Sequence, residues 1–329
     1  MSESLLDGVS VIICCYNSGW VIARSLDALK KQVFPPNLSF EIVLVNNNCT
    51  DDTVQIAEKS MSGCGIDFRI VEEREPGLAN ARAKGIAEVK YKYVVFCDDD
   101  NLLCPEYVKT VYSIFEADPK IGAVGGKGVP EFECEPDPRI LPKLEGYAVG
   151  SQLQHKNWLF GAGMALRTDV VRDVYTNQKR HLVGRKGGEL LSGDDSELAY
   201  AIVLRGYKTY PTDEISYVHV LRSNRLTWDY CQNMQLGFEK AEGPLMMMRL
   251  ILDGKAFRPF AYWYIRIHLV RIKWTLLFWQ SHARDVRENC RRCIAKIDYW
   301  GIYRLYSIYK EWLALRTRIV CSGENQNEN

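Results

Sequence analysis

Residues 98–101 read Asp98-Asp99-Asp100-Asn101, three consecutive carboxylates placed directly after the apolar run Tyr93-Val94-Val95-Phe96. That run is β-branched and aromatic and too short for a helix, so it reads as a buried strand. Three acids at the exit of a buried strand repel one another and lose hydration unless a cation joins them. Oxygen donors suit a hard divalent ion, Mg²⁺ or Mn²⁺, which keeps waters and takes phosphate oxygens as its remaining ligands. An acidic loop without a metal is the competing explanation of the same triplet. A second acidic pair, Asp194-Asp195, follows Gly193 and opens a helical stretch. There the helix dipole and the free N–H groups favour ionised carboxylates, although capping and first-turn placement also account for acids at such a position.

The elements that must carry these groups follow from periodicity. Val9 to Cys15, Phe40 to Val45, Phe68 to Val71 and Tyr93 to Cys97 read as strands, and Trp20 to Gln32, Asp51 to Ser62 and Gly77 to Val89 as helices. Strands alternating with helices of 10 to 15 residues imply right-handed βαβ units and a largely parallel sheet. The alternation stops near residue 115. Beyond it, Ile121 to Gly128 looks like a strand, Phe132 to Pro142 a loop, Trp158 to Leu166 an apolar segment broken by Gly161 and Gly163, and Asp194 to Arg205 a helix.

Ligands of such a sheet bind beyond the carboxyl ends of its strands. Three informative segments sit at those ends: Cys14-Cys15-Tyr16-Asn17, the amide-rich Asn46-Asn47-Asn48-Cys49-Thr50-Asp51-Asp52-Thr53, and the acidic triplet. If the strands are neighbours, an aromatic ring, several amides and a metal share one crevice. That set can stack a base, read its hydrogen-bonding edge and hold a pyrophosphate. Neither G-x-G-x-x-G nor a P-loop lysine motif follows any strand, so the phosphates would be held through the metal.

Composition sets the wider frame. With 47% hydrophobic and 25% charged residues, the chain is ordinary globular protein and can bury a large core. No signal peptide is visible and no window of about 20 residues is free of charge, so no clean transmembrane helix is expected. Eleven cysteines, an odd number with several in strand-like runs, indicate a reduced, cytoplasmic protein rather than a disulfide scaffold. Cys290 and Cys293 form a single C-x-x-C without a second pair, which fits two thiols on one helix face better than zinc. Net charge is +1, yet Lys255 to Val320 carries 14 Lys and Arg against 4 Asp and Glu, a net of +10, leaving −9 for the rest. This basic region is rich in Trp and Tyr at helical spacing. It reads either as helices packed on the catalytic domain or as an in-plane contact with an anionic membrane surface.

Taken together, the motifs resemble those of family 2 inverting glycosyltransferases, which have the GT-A fold. The resemblance is carried by Val9 to Asn17, Glu41 to Thr53, Glu75-Pro76-Gly77-Leu78-Ala79-Asn80-Ala81-Arg82, Asp98-Asp99-Asp100, Gly161-Ala162-Gly163 and Gly193-Asp194-Asp195, in the family's order over about residues 9 to 230. It implies that Tyr16 stacks on or flanks the nucleobase, with Cys14 and Asn17 beside it. Asn46 and Asn47 fall where the family is commonly acidic. Asn47 stands where an Asp often reads the uracil edge, and an amide both donates and accepts, which leaves donor-base identity open. Asp98 and Asp100 match the ends of the DXD motif, with Asp100 the first choice for the metal, Asp98 for ribose or the metal shell, and Asp99 within the nucleotide site. Arg82 would approach the diphosphate, with a surface helix cation as the alternative.

Inverting transfer is a single displacement in which a carboxylate takes the acceptor hydroxyl's proton. The resemblance gives that role to Asp195, with Asp194 second. Trp158, Gly161, Ala162 and Gly163 would shape the donor-sugar and acceptor pocket. His219 is a candidate metal donor or a buried structural histidine, and Arg222 and Arg225 are candidate phosphate clamps.

The expected architecture is α/β, a GT-A (Rossmann-like), mostly parallel sheet flanked by helices over 1–230, a C-terminal basic and aromatic helical region over 231–322, and a disordered tail over 323–329. The expected activity is metal-dependent inverting transfer from a nucleotide-diphosphate sugar, UDP favoured, to a glycan or lipid-linked acceptor. The expected location is cytoplasmic, at the inner face of the cell membrane, and no nucleic-acid partner is expected. A sugar nucleotidyltransferase and a non-catalytic nucleotide- or membrane-binding scaffold are the alternatives.

Overall fold

The strand sequence Val9-Ser10-Val11-Ile12-Ile13 is buried on both faces because it forms the middle of the sheet. In the computed structural model, which describes residues 4–35, 38–182, 184–185, 190–256, 265, 269, 272–273, 275–276 and 299–324, strand β1 (Leu6–Cys15) is followed by α1 (Ile22–Lys30), β2 (Phe40–Asn46), α2 (Thr53–Met61), β3 (Asp67–Glu72), α3 (Leu78–Glu88) and β4 (Tyr91–Asp98). β1 pairs in parallel with β2 and β4, and β2 with β3. These are the βαβ units expected from the alternation.

The rest of the sheet is mixed. After β4 come β5 (Asn101–Leu103), α4 (Tyr107–Ala117), β6 (Ile121–Phe132), β7 (Ala165–Arg167), α5 (Thr168–Asn177), α6 (Asp194–Leu204) and β8 (Lys208–Leu221). The strand order is β3-β2-β1-β4-β7-β6-β8-β5. β7 is antiparallel to both β4 and β6, β5 is antiparallel to β8, and β6 is parallel to β8. The apolar stretch from Trp158 is thus strand only over its last residues, because Gly161 and Gly163 lie in a tight approach to neighbouring side chains.

Helices cover the sheet with apolar faces at helical spacing. Ile22, Leu26 and Leu29 of α1 and Tyr107, Val108, Val111 and Phe115 of α4 are buried. Each such side chain contributes about 1.5–3 kcal/mol on burial. α3 lies close to β1 at Gly85, where an added Cβ would stand 2.6 Å from the Ile12 Cγ2. The nine cysteines among the described residues are free thiols.

The chain divides into two compact units, 1–242 and 243–329. Helix α7 (Trp228–Leu252) runs from the first into the second. In the second unit, the C-terminal helix Tyr299–Glu324 buries Ile308, Tyr309, Trp312 and Leu315, and Arg316 Nη1 donates to the Ile251 carbonyl at 2.7 Å. Ile265, Leu269, Ile272 and Leu276 are exposed. Cys290 and Cys293, Arg266, His268, Arg271 and the side chain of Ile302 lie outside the described residues. Among the described residues, no helix is long and apolar enough to cross a membrane.

Candidate active site

The parallel register brings the strand ends together. Cys14 sits opposite both Val45 and Asp98, and Cys15 opposite Asn46. Tyr16 follows at once and is 65% exposed, a free ring at the mouth of the crevice. Asn17 adopts a left-handed φ of 54° and its Oδ1 accepts the Thr50 N–H at 2.8 Å. That bond joins the turn after β1 to the turn after β2. Burial pushes the Cys14 thiol up to about 12, so it is no thiolate nucleophile.

The amides after β2 serve the protein interior. Asn47 Nδ2 donates to the carbonyls of Glu73 (2.9 Å) and Glu75 (2.8 Å), and its Oδ1 accepts the Gly77 N–H at 2.9 Å. Both amide hydrogens are used within the protein, so Asn47 braces the loop ahead of α3 in this structure. Asn46 Nδ2 is likewise held by the Glu72 carboxylate at 2.9 and 3.0 Å.

Each carboxylate of the triplet has a different environment. Asp98 closes β4, with Arg82 Nη2 at 3.5 Å. Asp99 is half-buried against Ser18, whose hydroxyl donates to it, while Ser25 Oγ donates to its carbonyl oxygen at 2.6 Å. Burial and the Asp100 charge push its carboxyl up to about 7. Asp100 meets Arg225 Nη1 at 2.8 Å and His219 Nε2 at 3.5 Å. Burial alone would raise its carboxyl, but His219 and Arg225 outweigh that and hold it well below the usual range. The strand pairing explains these partners: Asn101 stands opposite His219, and the Val220 N–H donates to the Asp100 carbonyl at 2.9 Å.

A divalent cation fits this donor set. His219 Nδ1 lies 2.7 Å from the Tyr147 carbonyl. A carbonyl only accepts, so Nδ1 carries a hydrogen and Nε2 is the ring nitrogen that faces Asp100, the orientation of a metal-binding imidazole. The space between Nε2 and this carboxylate suits a shared proton or, with a neutral imidazole, a metal ion. Among the described residues no three His, Cys, Asp or Glu side chains surround one point. A cation here would have to be held by one or two carboxylates and completed by substrate phosphates and water.

The second acidic set lies against the first. Gly193, at a left-handed φ of 92°, turns the chain into α6, whose first turn carries Asp194 and Asp195. Asp194 Oδ2 is 3.1 Å from Arg82 Nη1. Asp195 Oδ2 accepts the Gly161 N–H at 3.0 Å and its Oδ1 the Ser196 N–H at 2.7 Å. Burial first, then the Asp194 charge, push Asp195 up to about 6. Arg82 is not the surface cation of the alternative reading; it is buried between Asp98 and Asp194, with its guanidinium 4.8 Å over the Phe96 ring.

Gly161 adjoins both sets, since an added Cβ would lie 2.8 Å from Arg82 Nη2 and 3.2 Å from Asp195 Cβ. Ala162 beside it is buried, and at Gly163, with φ at 70°, an added Cβ would meet the Tyr107 hydroxyl. Trp158 stacks on His155 with centroids 3.6 Å apart, so one of its faces is covered. Arg222 stacks on Trp20 at 4.6 Å instead of reaching the carboxylates.

Several supporting residues carry no sequence signal of their own. Glu197, fully buried, accepts N–H groups from His181 (2.9 Å) and Leu182 (2.8 Å) and pairs with Arg180 at 3.4 Å. Arg180 in turn donates to the Asp194 carbonyl. Glu197 lies two residues beyond Asp195, and only that proximity could have marked it.

The chain is similar to known proteins in sequence and in fold. The sequence profile of Glycosyl transferase family 2 matches residues 10–174. Poly(ribitol-phosphate) beta-N-acetylglucosaminyltransferase TarS of Staphylococcus aureus (strain Mu50) is 30% identical over 141 residues, 40% of this chain and 24% of that protein. Poly-beta-1,6-N-acetyl-D-glucosamine synthase of S. aureus (strain COL) is 28% identical over 209 residues, 62% of this chain and 47% of that protein. The chain thus spans less than half the length of these relatives. Among solved structures, S. aureus TarS 1-349 in complex with UDP-GlcNAc superposes with a TM-score of 0.52 at 18% identity, over 73% of this chain and 70% of that one. Mannosyltransferase PcManGT from Pyrobaculum calidifontis in complex with GDP-Man and Mn2+ does so with 0.52 at 17%, over 98% and 90%. At these identities the likeness is one of fold, and it is the GT-A architecture expected above.

Proposed function

This chain belongs to glycosyl transferase family 2, and on that premise we propose that it carries out metal-dependent inverting transfer of a sugar from a nucleotide-diphosphate donor to a hydroxyl of a glycan or lipid-linked acceptor. The observation that carries the reading is the meeting of the two acidic sets at Arg82 and Gly161. It supports a reading in which the diphosphate lies by the triplet and the proton acceptor close by in the first turn of α6, as a single displacement requires.

Asp195 is the base in this reading. Asp194 is committed to Arg82, whereas Asp195 is held only by two backbone N–H groups, which aim it and leave each oxygen a lone pair. A carboxyl near 6 is also better matched to proton transfer at neutral pH than one near 4. Tyr16 offers an uncovered ring for the base, and Gly161 and Gly163 keep the floor of the pocket free of side chains. Asp98, Asp100 and His219 are the residues that would hold Mg²⁺ or Mn²⁺, which when bound offsets the charge developing on the leaving diphosphate. UDP is the favoured nucleotide because TarS, the relative matched in both sequence and fold, was captured with UDP-GlcNAc. A bacterial cell-surface glycan is the acceptor class, by the same relatives.

The C-terminal region supports an anionic membrane surface as a further partner. Its net charge of +10 over Lys255 to Val320 and the exposed Ile265, Leu269, Ile272 and Leu276 favour binding at the plane of anionic headgroups. Co-sedimentation with anionic but not neutral vesicles is expected, and its absence would remove this part of the reading.

The transfer itself is tested by a thermal-shift screen of UDP, GDP, dTDP, CDP and ADP, each with and without Mn²⁺, followed by product analysis with the sugar nucleotide of the best ligand. A metal-dependent shift and release of nucleoside diphosphate are expected. Release of pyrophosphate, or no shift with any nucleotide, would overturn the proposal.

A further inference from the structure

Arg82 and Arg225 contact the acidic triplet from within the protein, Arg185 adds its charge near Asp100, and the two contacting side chains differ in exposure. Arg82 is pinned between Asp98 and Asp194, with its side chain 5% exposed. Arg225 is held by one carboxylate, Asp100, at 2.8 Å, and its side chain is 24% exposed. Its backbone is fixed: the Tyr147 hydroxyl donates to the Arg225 carbonyl at 3.1 Å, and the Arg225 N–H donates to the Arg222 carbonyl at 2.9 Å. The long side chain alone can therefore swing, with no change in the short helical turn Ser223–Arg225 that carries it.

Asp100 has no oxygen to spare in this arrangement. Oδ2 is taken by Arg225, and Oδ1 accepts from Asn101 Nδ2 at 3.2 Å and faces His219 Nε2 at 3.5 Å in a setting only 4% exposed. Removing Arg225 would leave this buried carboxylate with only the Asn101 amide and His219 beside it, a costly loss of countercharge. Departure of Arg225 is therefore favoured by the arrival of another cation, and a cation that binds Asp100 competes with Arg225 for it. A planar guanidinium matches a phosphate as well as it matches a carboxylate.

We infer that Arg225 is an internal stand-in for the divalent cation, which a donor diphosphate draws off Asp100, so that metal and nucleotide bind with positive coupling. The inference rests on the donor and metal assignments proposed above. Neither ligand alone removes the whole cost of the exchange; each removes the part that the other would otherwise bear, and linkage makes the effect reciprocal. Metal added without nucleotide meets a site already neutralised.

The test is a Mn²⁺ titration, read from the electron paramagnetic resonance signal of free Mn²⁺, with and without UDP, on the full chain and on Arg225→Gln and Arg225→Lys. In the unaltered chain, UDP should tighten Mn²⁺ binding at least about tenfold, within the usual 5–150-fold range of coupled sites. In Arg225→Gln, Mn²⁺ alone should bind about tenfold more tightly than to the unaltered chain, and the effect of UDP should shrink to about twofold. Arg225→Lys keeps the charge without the planar fork and should fall between; it carries the test if the Gln variant does not fold. Unchanged affinity for Mn²⁺ alone in both variants, with UDP still tightening it as before, overturns the stand-in role and leaves the donor site standing. If the unaltered chain takes up no Mn²⁺ even with UDP, the donor-site reading and this inference fall together.

Discussion

Arg82 Nη1 and Asp194 Oδ2 lie 3.1 Å apart although 112 residues separate them in the chain. The pair ties the helix that follows β3 to the helix that carries the proposed base. Because the same guanidinium reaches Asp98 at 3.5 Å, one side chain sets the spacing between the donor side of the site and the base side.

Replacing Arg82 should therefore damage both stability and activity. Arg82→Met leaves Asp98 and Asp194 facing each other without a cation, and loss of one partner of a buried ion pair costs about 3–5 kcal/mol. Arg82→Lys keeps the charge, yet a single ammonium cannot span two carboxylates as the fork does. Urea unfolding should rank the unaltered chain above Lys, and Lys above Met. Equal midpoints for all three would show that the pairing carries no stability.

Asp195→Asn should lower transfer by about 10²–10⁴-fold, the usual yield of general base catalysis, while UDP binding measured calorimetrically stays within about twofold. Turnover near the original level would refute the base assignment.

The pH profile follows from the same residue. Asp195 must be unprotonated to accept a proton, and burial with the Asp194 charge places it at about 6. Below about pH 6 kcat/KM should fall about tenfold per pH unit and above it level off. The sign for stability is opposite. A carboxyl raised in the folded state binds its proton more tightly there than in the unfolded chain, so this group's contribution declines as pH rises from the unfolded value near 4 through about 6. Asp195→Asn should then melt higher than the unaltered chain at pH 7, and the gap should close by about pH 4. A gap that widens on acidification would contradict the raised value.

Gly161→Ala tests the packing at the junction. The added methyl would stand 2.8 Å from Arg82 Nη2 and 3.2 Å from Asp195 Cβ, and Arg82, held by two carboxylates, cannot yield freely. Overpacking of this kind costs about 1–3 kcal/mol. A drop in kcat larger than the change in KM is expected, since the shift disturbs the base more than the outer nucleotide site. Unchanged kinetics and melting would mean the junction has slack.

Glu197→Ala should release residues 180–182 from α6, because it removes the acceptor of two backbone N–H groups and the partner of Arg180. Limited proteolysis should cut near Arg180 faster than in the unaltered chain, with transfer reduced through the Arg180 contact to the Asp194 carbonyl. An unchanged cleavage rate would show that the loop is held by other means.

The parallel half of the fold is legible in the sequence because β1, β2 and β4 are short apolar runs ending in polar residues, with helices of clear apolar spacing between them. The acidic sets stand out for the same reason: charge placed directly after burial has few explanations. What the sequence conceals is pairing at long range. Nothing in residues 101–103 announces an antiparallel partner near His219, so the neighbours of Asp100 are not readable in advance. The bonds of Asn47 to three backbone groups of the following loop are equally hidden, since in the sequence it is one polar residue in a loop. Glu197 is hidden by its surroundings in an acidic first turn, where it looks like one more solvent-facing acid.

The distance along the chain between Asp100 and its two cationic neighbours bears on how the protein is made. Asp98 has Arg82 behind it in the order of synthesis, but Asp100 depends on His219 and Arg225, the latter 125 residues ahead. As the chain leaves the ribosome, β1 to β4 can assemble early, yet the strand end between β4 and β5 stays open and hydrated until β8 and the turn after it emerge. The nucleotide half therefore cannot mature ahead of the rest, and nascent chains stalled before residue 225 would hold a formed sheet with an unfinished site.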